Sequence, residues 1–260
     1  MKAAGGAMSG NLAGYVAFIT GGSTGIGLSH ARMLSARGAK VVITDFKQDN
    51  LDRAKGELAR ENIDALCLKA DNRVVAEVKA AVASAEAALG KVDILINNAG
   101  ISGMHAHIED IDEAFFDSMF GTHVKGAFFA AQAVVPGMKR RKFGRIINTG
   151  STFAMTGSPA MSHYTMSKGA LTALTRAWAR ELGPFGITVN TVSPGLVETP
   201  MTLGDLTPEM KQRIVAGMVI GRTVKVEEVS YLLAYLANRE ADAVTGQNFS
   251  PNGGQAIVGI

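Results

Sequence analysis

Val16-Ala17-Phe18-Ile19-Thr20-Gly21-Gly22-Ser23-Thr24-Gly25-Ile26-Gly27 is the stretch whose reading decides the fold. Its first half is a short apolar, β-branched run, which reads as a buried strand. Its second half is a glycine-rich turn. A helical pattern follows through Leu28, Ala31, Leu34 and Ala36 and stops at Gly38. Val41-Val42-Ile43-Thr44 reads as the next strand. Strand, glycine-rich turn, helix and strand make a right-handed parallel unit. Glycines in such a turn permit a tight bend and let a pyrophosphate approach the helix N-terminus.

The alternation continues outward from that unit. Leu51 to Glu61 reads as helix, Ala65-Leu66-Cys67-Leu68 as a buried strand, and Val74 to Leu89 as an Ala-rich helix. Val92 to Asn97 reads as strand, Ala114 to Met138 as one long helical region, and Gly144 to Asn148 as strand. A helix runs through Tyr164 to Leu182, Ile187 to Val192 is strand, Pro208 to Gly217 and Glu227 to Asn238 are helical, and Gln247 to Ser250 closes the sheet. The expected fold is α/β: one doubly wound, Rossmann-type parallel sheet of about seven strands with helices on both faces. No internal repeat or linker divides residues 11–260, and residues 1–10 read as a loose arm.

Composition narrows the functional classes. Of 260 residues, 47% are apolar, enough for a substantial core, and the formal charge is only +3. Lys139-Arg140-Arg141-Lys142 is the only dense basic run and has no interleaved aromatics, so it reads as a solvated helix end rather than a nucleic-acid surface. Cys67 is the only cysteine, which excludes an intrachain disulfide and a cysteine-based metal site. His105 and His107 lack a supporting carboxylate or cysteine set, so no metal site is expected. The first ten residues carry no long apolar segment of the secretory kind. The uncharged run Ile146 to Ser167, rich in Ser, Thr, Gly and Pro, does not suit a bilayer. A cytoplasmic protein with no membrane or nucleic-acid partner is expected.

Tyr164-Thr165-Met166-Ser167-Lys168 carries the candidate chemistry. Four residues apart on a helix, the tyrosine and lysine share one face. A free phenol is a poor base at neutral pH, and a nearby ammonium favours the phenolate. Bringing its pKa to about 7 takes roughly 4 kcal/mol of differential stabilisation. One lysine is hard pressed to supply that alone, so a second positive charge is implied, and an oxidised nicotinamide ring would provide it.

Taken together, these motifs resemble the short-chain dehydrogenase/reductase family over about Leu12 to Gly254. Thr20 to Gly27 matches its TGxxxGxG turn, and Asn97-Asn98-Ala99-Gly100 its NNAG strand end. Ser151 precedes Tyr164 by thirteen residues, the family's usual spacing. Pro194-Gly195 with Thr199 resembles its PG-x-x-x-T segment. The resemblance implies that Tyr164 exchanges a proton with the substrate oxygen, that Lys168 lowers its pKa and holds the nicotinamide ribose, and that Ser151 hydrogen-bonds the substrate oxygen. It assigns cofactor contacts to Gly21, Ser23, Thr24, Gly25, Ile26 and Gly27, to Asp45 and Phe46, to Asp71 and Asn72 near the adenine, to Asn98, Ala99 and Gly100, and to Pro194, Gly195, Val197 and Thr199.

Asp45 lies about twenty residues past the glycine turn, where an acid accepts hydrogen bonds from the adenosine ribose and repels a 2′-phosphate. NAD is therefore the expected cofactor, with NADP less favoured. Lys47 is the one nearby cation able to accommodate a phosphate. His123 stands where the family commonly has Asn, a position used mainly through its backbone carbonyl. Three readings stay open for it: a tolerated replacement, an imidazole in the proton relay, or lost activity.

The implied reaction interconverts a secondary alcohol and a ketone, with an NADPH-dependent 3-oxoacyl-carrier-protein reductase and a non-catalytic nucleotide sensor as alternatives. The substrate is expected between Ser102–Ile108, Ala154–His163 and a lid at about 199–218. Met201, Leu203, Leu206, Met210, Met218, Phe153, Met155 and Met161 suggest an apolar pocket, though methionines are often core filler. His163 faces either substrate or solvent. A homotetramer is expected by resemblance.

Overall fold

The computed structural model describes residues 12–103 and 106–257, so the N-terminal arm and His105 lie outside the described residues. Strands β1 (Val16–Ile19), β2 (Lys40–Asp45), β3 (Ala65–Lys69), β4 (Ile94–Asn97), β5 (Gly144–Thr149), β6 (Ile187–Val192) and β7 (Asn248–Phe249) form one sheet in the order β3-β2-β1-β4-β5-β6-β7. Every pairing is parallel. Helices α1 (Gly25–Ala36), α2 (Gln48–Arg60), α3 (Val75–Leu89), α4 (Glu113–Phe120), α5 (Gly126–Arg141), α6 (Phe153–Thr156), α7 (Ser162–Leu182), α8 (Pro200–Asp205), α9 (Pro208–Ala216) and α10 (Val226–Leu236) complete the chain.

The central strands are buried on both faces, which is why they read as unbroken apolar runs. In β1, Ala17 and Ile19 pack with Leu28 and Leu34 of α1 and Leu233 of α10, whereas Val16 and Phe18 pack with Val82 of α3, Val134 of α5 and Trp178 of α7. The strand order reverses between β1 and β4. The carboxyl ends of those two strands therefore open a crevice, the place where open α/β sheets bind ligands.

Three sequence expectations need correction. Residues 114–138 do not form one helix: a π-helical turn, Gly121–Lys125, separates α4 from α5. Cys67 is half-buried, because β3 is the edge strand of the sheet. The basic run is not wholly solvated: Arg141 donates to the carbonyl of Val92 and pairs with buried Asp93 at 3.4 Å. The segment expected to form a lid, 199–218, contains two helices, α8 and α9, and Thr199 caps α8 in a reciprocal pair with Thr202. No described helix is long and apolar enough to cross a membrane.

Histidines at helix contacts make the fold acid-sensitive. His30 of α1 is buried with its Nδ1 2.8 Å from Ser230 Oγ of α10, and Ser230 donates to Val226 O. Burial pushes the His30 imidazole from 6.5 down to about 3, and burial also lowers buried His123 well below its ordinary value. Both rings stay neutral in the fold but take protons near 6.5 once unfolded. Their contribution is thus complete above pH 6.5 and is lost as pH falls from there toward the folded values. Between about pH 7.5 and about pH 5.5 urea unfolding should show a loss of about 3 kcal/mol from the pair. His30→Leu should remove about half of that pH dependence. A stability that is flat across this range would contradict neutral burial of the two rings.

Candidate active site

The crevice begins where two loops are laced together. Thr20 Oγ1 accepts from the backbone N–H of Asn98 and of Ala99, each at 3.0 Å. Asn98 Nδ2 donates back to the carbonyls of Thr20 (3.1 Å) and Gly21 (2.9 Å). Gly21 (φ +62°) and Gly25 (φ +51°) adopt left-handed backbone that favours glycine, and a Cβ on Gly27 would lie 2.6 Å from Asn98 Nδ2. The Thr24 side chain makes no cap on α1, so it does not occupy the first-turn N–H groups. A close-approach glycine cradle at the start of a twelve-residue helix fits the phosphates of a dinucleotide.

One cleft runs from that cradle in both directions. Gly21, Thr24, Gly25, Ile26, Gly27, Asp45, Phe46, Asp71, Asn72, Asn98, Ala99, Gly100, His123, Ser151, Tyr164, Lys168, Pro194, Gly195, Val197 and Thr199 all line it. Ser23 does not: it is buried, and its hydroxyl donates to Asp45. The other Asp45 oxygen accepts the backbone N–H of Lys47 at 2.8 Å, so the carboxylate is held in place. The Lys47 ammonium instead lies over the Phe46 ring, 5.3 Å from its centroid, and Lys47 is not among the lining residues.

At the opposite end, α7 brings Tyr164 and Lys168 beside Ser151. A Ser151 side-chain hydrogen bond favours the Tyr164 phenolate, but burial outweighs it and pushes the phenol above its ordinary value of 10. The Lys168 ammonium, 4% exposed as a residue, donates to the carbonyl of Thr149 at 2.9 Å and lies 5.7 Å from the Tyr164 ring centroid. Burial lowers it to about 8. Thr149 therefore contributes its carbonyl rather than its hydroxyl, a role that no sequence pattern marks.

His123 sits in the π turn and touches the same machinery. Its Nε2 accepts the backbone N–H of Ile101 at 2.9 Å. Its Nδ1 lies 2.8 Å from Ser167 Oγ, and Ser167 donates its own proton to the Tyr164 carbonyl at 2.8 Å. With the serine proton committed, Nδ1 carries the hydrogen and Nε2 is the acceptor. A doubly protonated ring would set a donor against the Ile101 donor. Burial first, and the neighbouring Lys168 second, hold the ring neutral. This geometry gives the imidazole a bracing role between the end of β4 and the turn of α7 that carries Tyr164 and Lys168. His163 turns aside toward the Phe115 ring of α4, 4.8 Å between centroids, and neither substrate cleft nor solvent receives it.

The expected apolar pocket is only partly assembled. Met201 lines the cleft, while Met218 belongs to the core. Met161 and Tyr164 crowd Gly103, where a Cβ would lie 2.7 Å from Met161 Cε. Glu198 ties the lid down by accepting from Lys211 of α9 (2.9 Å) and from the Thr223 hydroxyl (2.8 Å). Arg73 and Asn50 also line the cleft, and sequence reading passed over both. Among the described residues, no group of three His, Cys, Asp or Glu side chains is placed to hold a metal.

The brace can be tested through its serine. Ser167→Ala leaves the buried His123 Nδ1–H without its acceptor, so chemical denaturation should show a loss of about 1–3 kcal/mol. A loss below about 0.5 kcal/mol would mean that the His123–Ser167 bond is not a structural link.

Comparison with known proteins agrees with the geometry. A family model described as enoyl-(acyl carrier protein) reductase matches residues 21–256. The chain is 36% identical to 2-(S)-hydroxypropyl-CoM dehydrogenase 3 of Xanthobacter autotrophicus, covering 96% of this chain and 100% of the relative. It is 40% identical to a 3-alpha-(or 20-beta)-hydroxysteroid dehydrogenase of Mycobacterium tuberculosis, covering 97% and 93%. A double mutant of a Serratia marcescens short-chain dehydrogenase/reductase superposes with a TM-score of 0.87 at 35% identity, covering 95% and 100%. Identity at this level over the full length, with the glycine cradle and the Ser151, Tyr164 and Lys168 cluster in one cleft, makes the chain a member of the short-chain dehydrogenase/reductase family of oxidoreductases.

Proposed function

We propose that the protein is an NAD(H)-dependent oxidoreductase that interconverts a secondary alcohol and a ketone. The observation that carries this reading is a single cleft with Ser151, Tyr164 and Lys168 at one end and a fixed Asp45 carboxylate at the other. The nicotinamide cofactor, when bound, supplies the hydride acceptor or donor and, when oxidised, a positive charge. The glycine cradle holds its phosphates, and Pro194, Gly195, Val197 and Thr199 border the reacting end.

The chain's own residues handle the proton. The Ser151 hydroxyl hydrogen-bonds the substrate oxygen, stabilises the charge that develops there, and fixes its distance from Tyr164. The Tyr164 hydroxyl gives that oxygen a proton in reduction and takes one in oxidation. Lys168, braced on Thr149 O, stabilises the phenolate electrostatically and has further N–H donors for the ribose. His123, neutral with its one proton on Nδ1, keeps the turn in register without relaying a proton.

The apolar side chains Phe116, Phe128 and Met166 lie exposed on α4, α5 and α7 and support assembly into a homotetramer. The lone cysteine supports a reducing, cytoplasmic setting. The substrate is a small-molecule alcohol or ketone, with no nucleic acid or membrane as partner.

Two measurements check the reading. In steady-state assays across a panel of alcohols and ketones, Tyr164→Phe should lower kcat by about 10²–10⁴-fold while NADH binding stays near wild type. Ser151→Ala should cost about a hundredfold or more. Activity of Tyr164→Phe within about tenfold of wild type would sink the assignment. For cofactor choice, a 2′-phosphate would meet the fixed Asp45 carboxylate and lose its hydrogen bonds. The kcat/KM ratio should thus favour NAD(H) by about tenfold to a hundredfold. Asp45→Ala should narrow that ratio, and equal efficiency with NADP(H) in the unmodified protein would contradict it.

A further inference from the structure

Two stretches of chain meet beside Tyr164, and a histidine lies at their junction. Gly103, in the segment after β4, is buried and abuts the start of α7. A Cβ on it would lie 2.7 Å from Met161 Cε and 2.9 Å from Tyr164 Cβ, so any shift of Gly103 bears directly on the tyrosine. The same two stretches are tied again where the Ala106 N–H donates to the carbonyl of Ala160 at 2.9 Å. They are also the two stretches expected to grip the substrate.

His163 occupies this junction at a cost. The residue is 2% exposed, yet neither Nδ1 nor Nε2 closes a hydrogen bond. Its ring contact with Phe115 is one that a phenyl group would make equally well. Burial lowers its pKa, so the ring is neutral, with one N–H and one bare lone pair. An unpaired polar group in the interior is unfavourable, and an apolar group of the same shape in its place is neutral or stabilising. A polar ring kept on those terms calls for a use in another state of the protein. The Gly103 backbone points to that use. It favours the protonated form of the ring, which only an acceptor does, so the Gly103 carbonyl faces the imidazole without yet closing a bond to it. Hydrogen bonds at active sites are often long before substrate arrives and tighten in the complex.

We propose that His163 is a positioning residue: in the substrate complex its N–H closes on the Gly103 carbonyl and fixes that segment against Tyr164, which holds the substrate oxygen in line with the phenol. The imidazole itself touches neither substrate nor cofactor. Placement of this kind matters, because an error of about 1 Å at a reacting centre costs on the order of a hundredfold in rate. The inference rests on the reading of the protein as an alcohol or ketone oxidoreductase, and the test separates the two. Urea unfolding of the ligand-free protein comes first and needs no substrate. His163→Phe and His163→Leu both remove the unpaired nitrogens, so at least one should unfold at a urea concentration equal to or above that of wild type. Lower midpoints in both would show that the ring is already bonded in the free protein and would overturn the proposal. Steady-state assays follow, on the best substrate that wild type finds in the panel of alcohols and ketones. His163→Phe should lower kcat/KM by about tenfold or more. Its KM for the cofactor should stay within about twofold of wild type, since the cofactor cleft is untouched. His163→Gln, which restores a donor, should recover about threefold or more of the loss. A kcat/KM for His163→Phe within about twofold of wild type would reduce His163 to packing. Equal losses in the Phe and Gln variants would show that the N–H is not the acting group. Absence of turnover by wild type itself would count against the oxidoreductase reading and leave the unfolding midpoints to decide the role of His163.

Discussion

A cation buried at one end of a cleft constrains everything around it. Lys168 loses most of its hydration there, and burial alone lowers its pKa to about 8. The carbonyl of Thr149 offsets part of that cost, and it is available because β5 ends at that residue and directs its last backbone group out of the sheet. Tyr164 suffers the opposite effect, because burial raises its pKa. Burial works against both charged forms, yet a lysine at about 8 keeps its proton near pH 7, so the ligand-free site holds an ammonium beside a neutral phenol. The phenolate needs more positive potential than one lysine provides, which agrees with the arithmetic drawn from the tyrosine and lysine alone.

The scaffold's work is to keep that arrangement from relaxing. A buried polar ladder crosses the sheet beneath α7: Asn97 donates to Asn148, Asn148 to Thr175, and Thr175 meets Thr191, with contacts of 2.7–2.8 Å. It joins β4, β5, α7 and β6 close to the strand ends that carry the site. Thr20 and Asn98 lace β1 to β4, and His123 with Ser167 braces the end of β4 against α7. Connected buried networks of this type specify one geometry, because each member left unpaired would be costly. The acid sensitivity of buried histidines is a consequence of building braces from groups that must stay neutral.

The fold was legible because its strands are buried on both sides. Val16 and Phe18 serve one core and Ala17 and Ile19 the other, so no polar residue interrupts the run. The candidate trio Ser151, Tyr164 and Lys168 was legible because two of its members lie one helical turn apart and the third stands at a characteristic distance in sequence. What periodicity could not reveal was the π turn at Gly121–Lys125, since apolar spacing barely changes when one residue is added to a turn. The edge position of β3 was equally hidden, because strand order is a tertiary property. Arg73 was missed although it directly follows Asp71 and Asn72: its placement depends on Gly121, distant in sequence. Helix α8 went unread, although Thr199 as cap and Pro200 in the first turn mark its start.

The central claim is that Tyr164 is a buried phenol whose ionisation is set by charges in the cleft. The most direct test is a pH titration of carbon-13-labelled tyrosine by NMR, with Tyr164→Phe assigning its resonance among the four tyrosines. In the ligand-free protein the Tyr164 signal should titrate above 10. With saturating oxidised NAD it should fall by at least about two units as positive charge enters the cleft. A resonance that titrates normally without ligand, or that does not move when NAD is bound, would contradict the account.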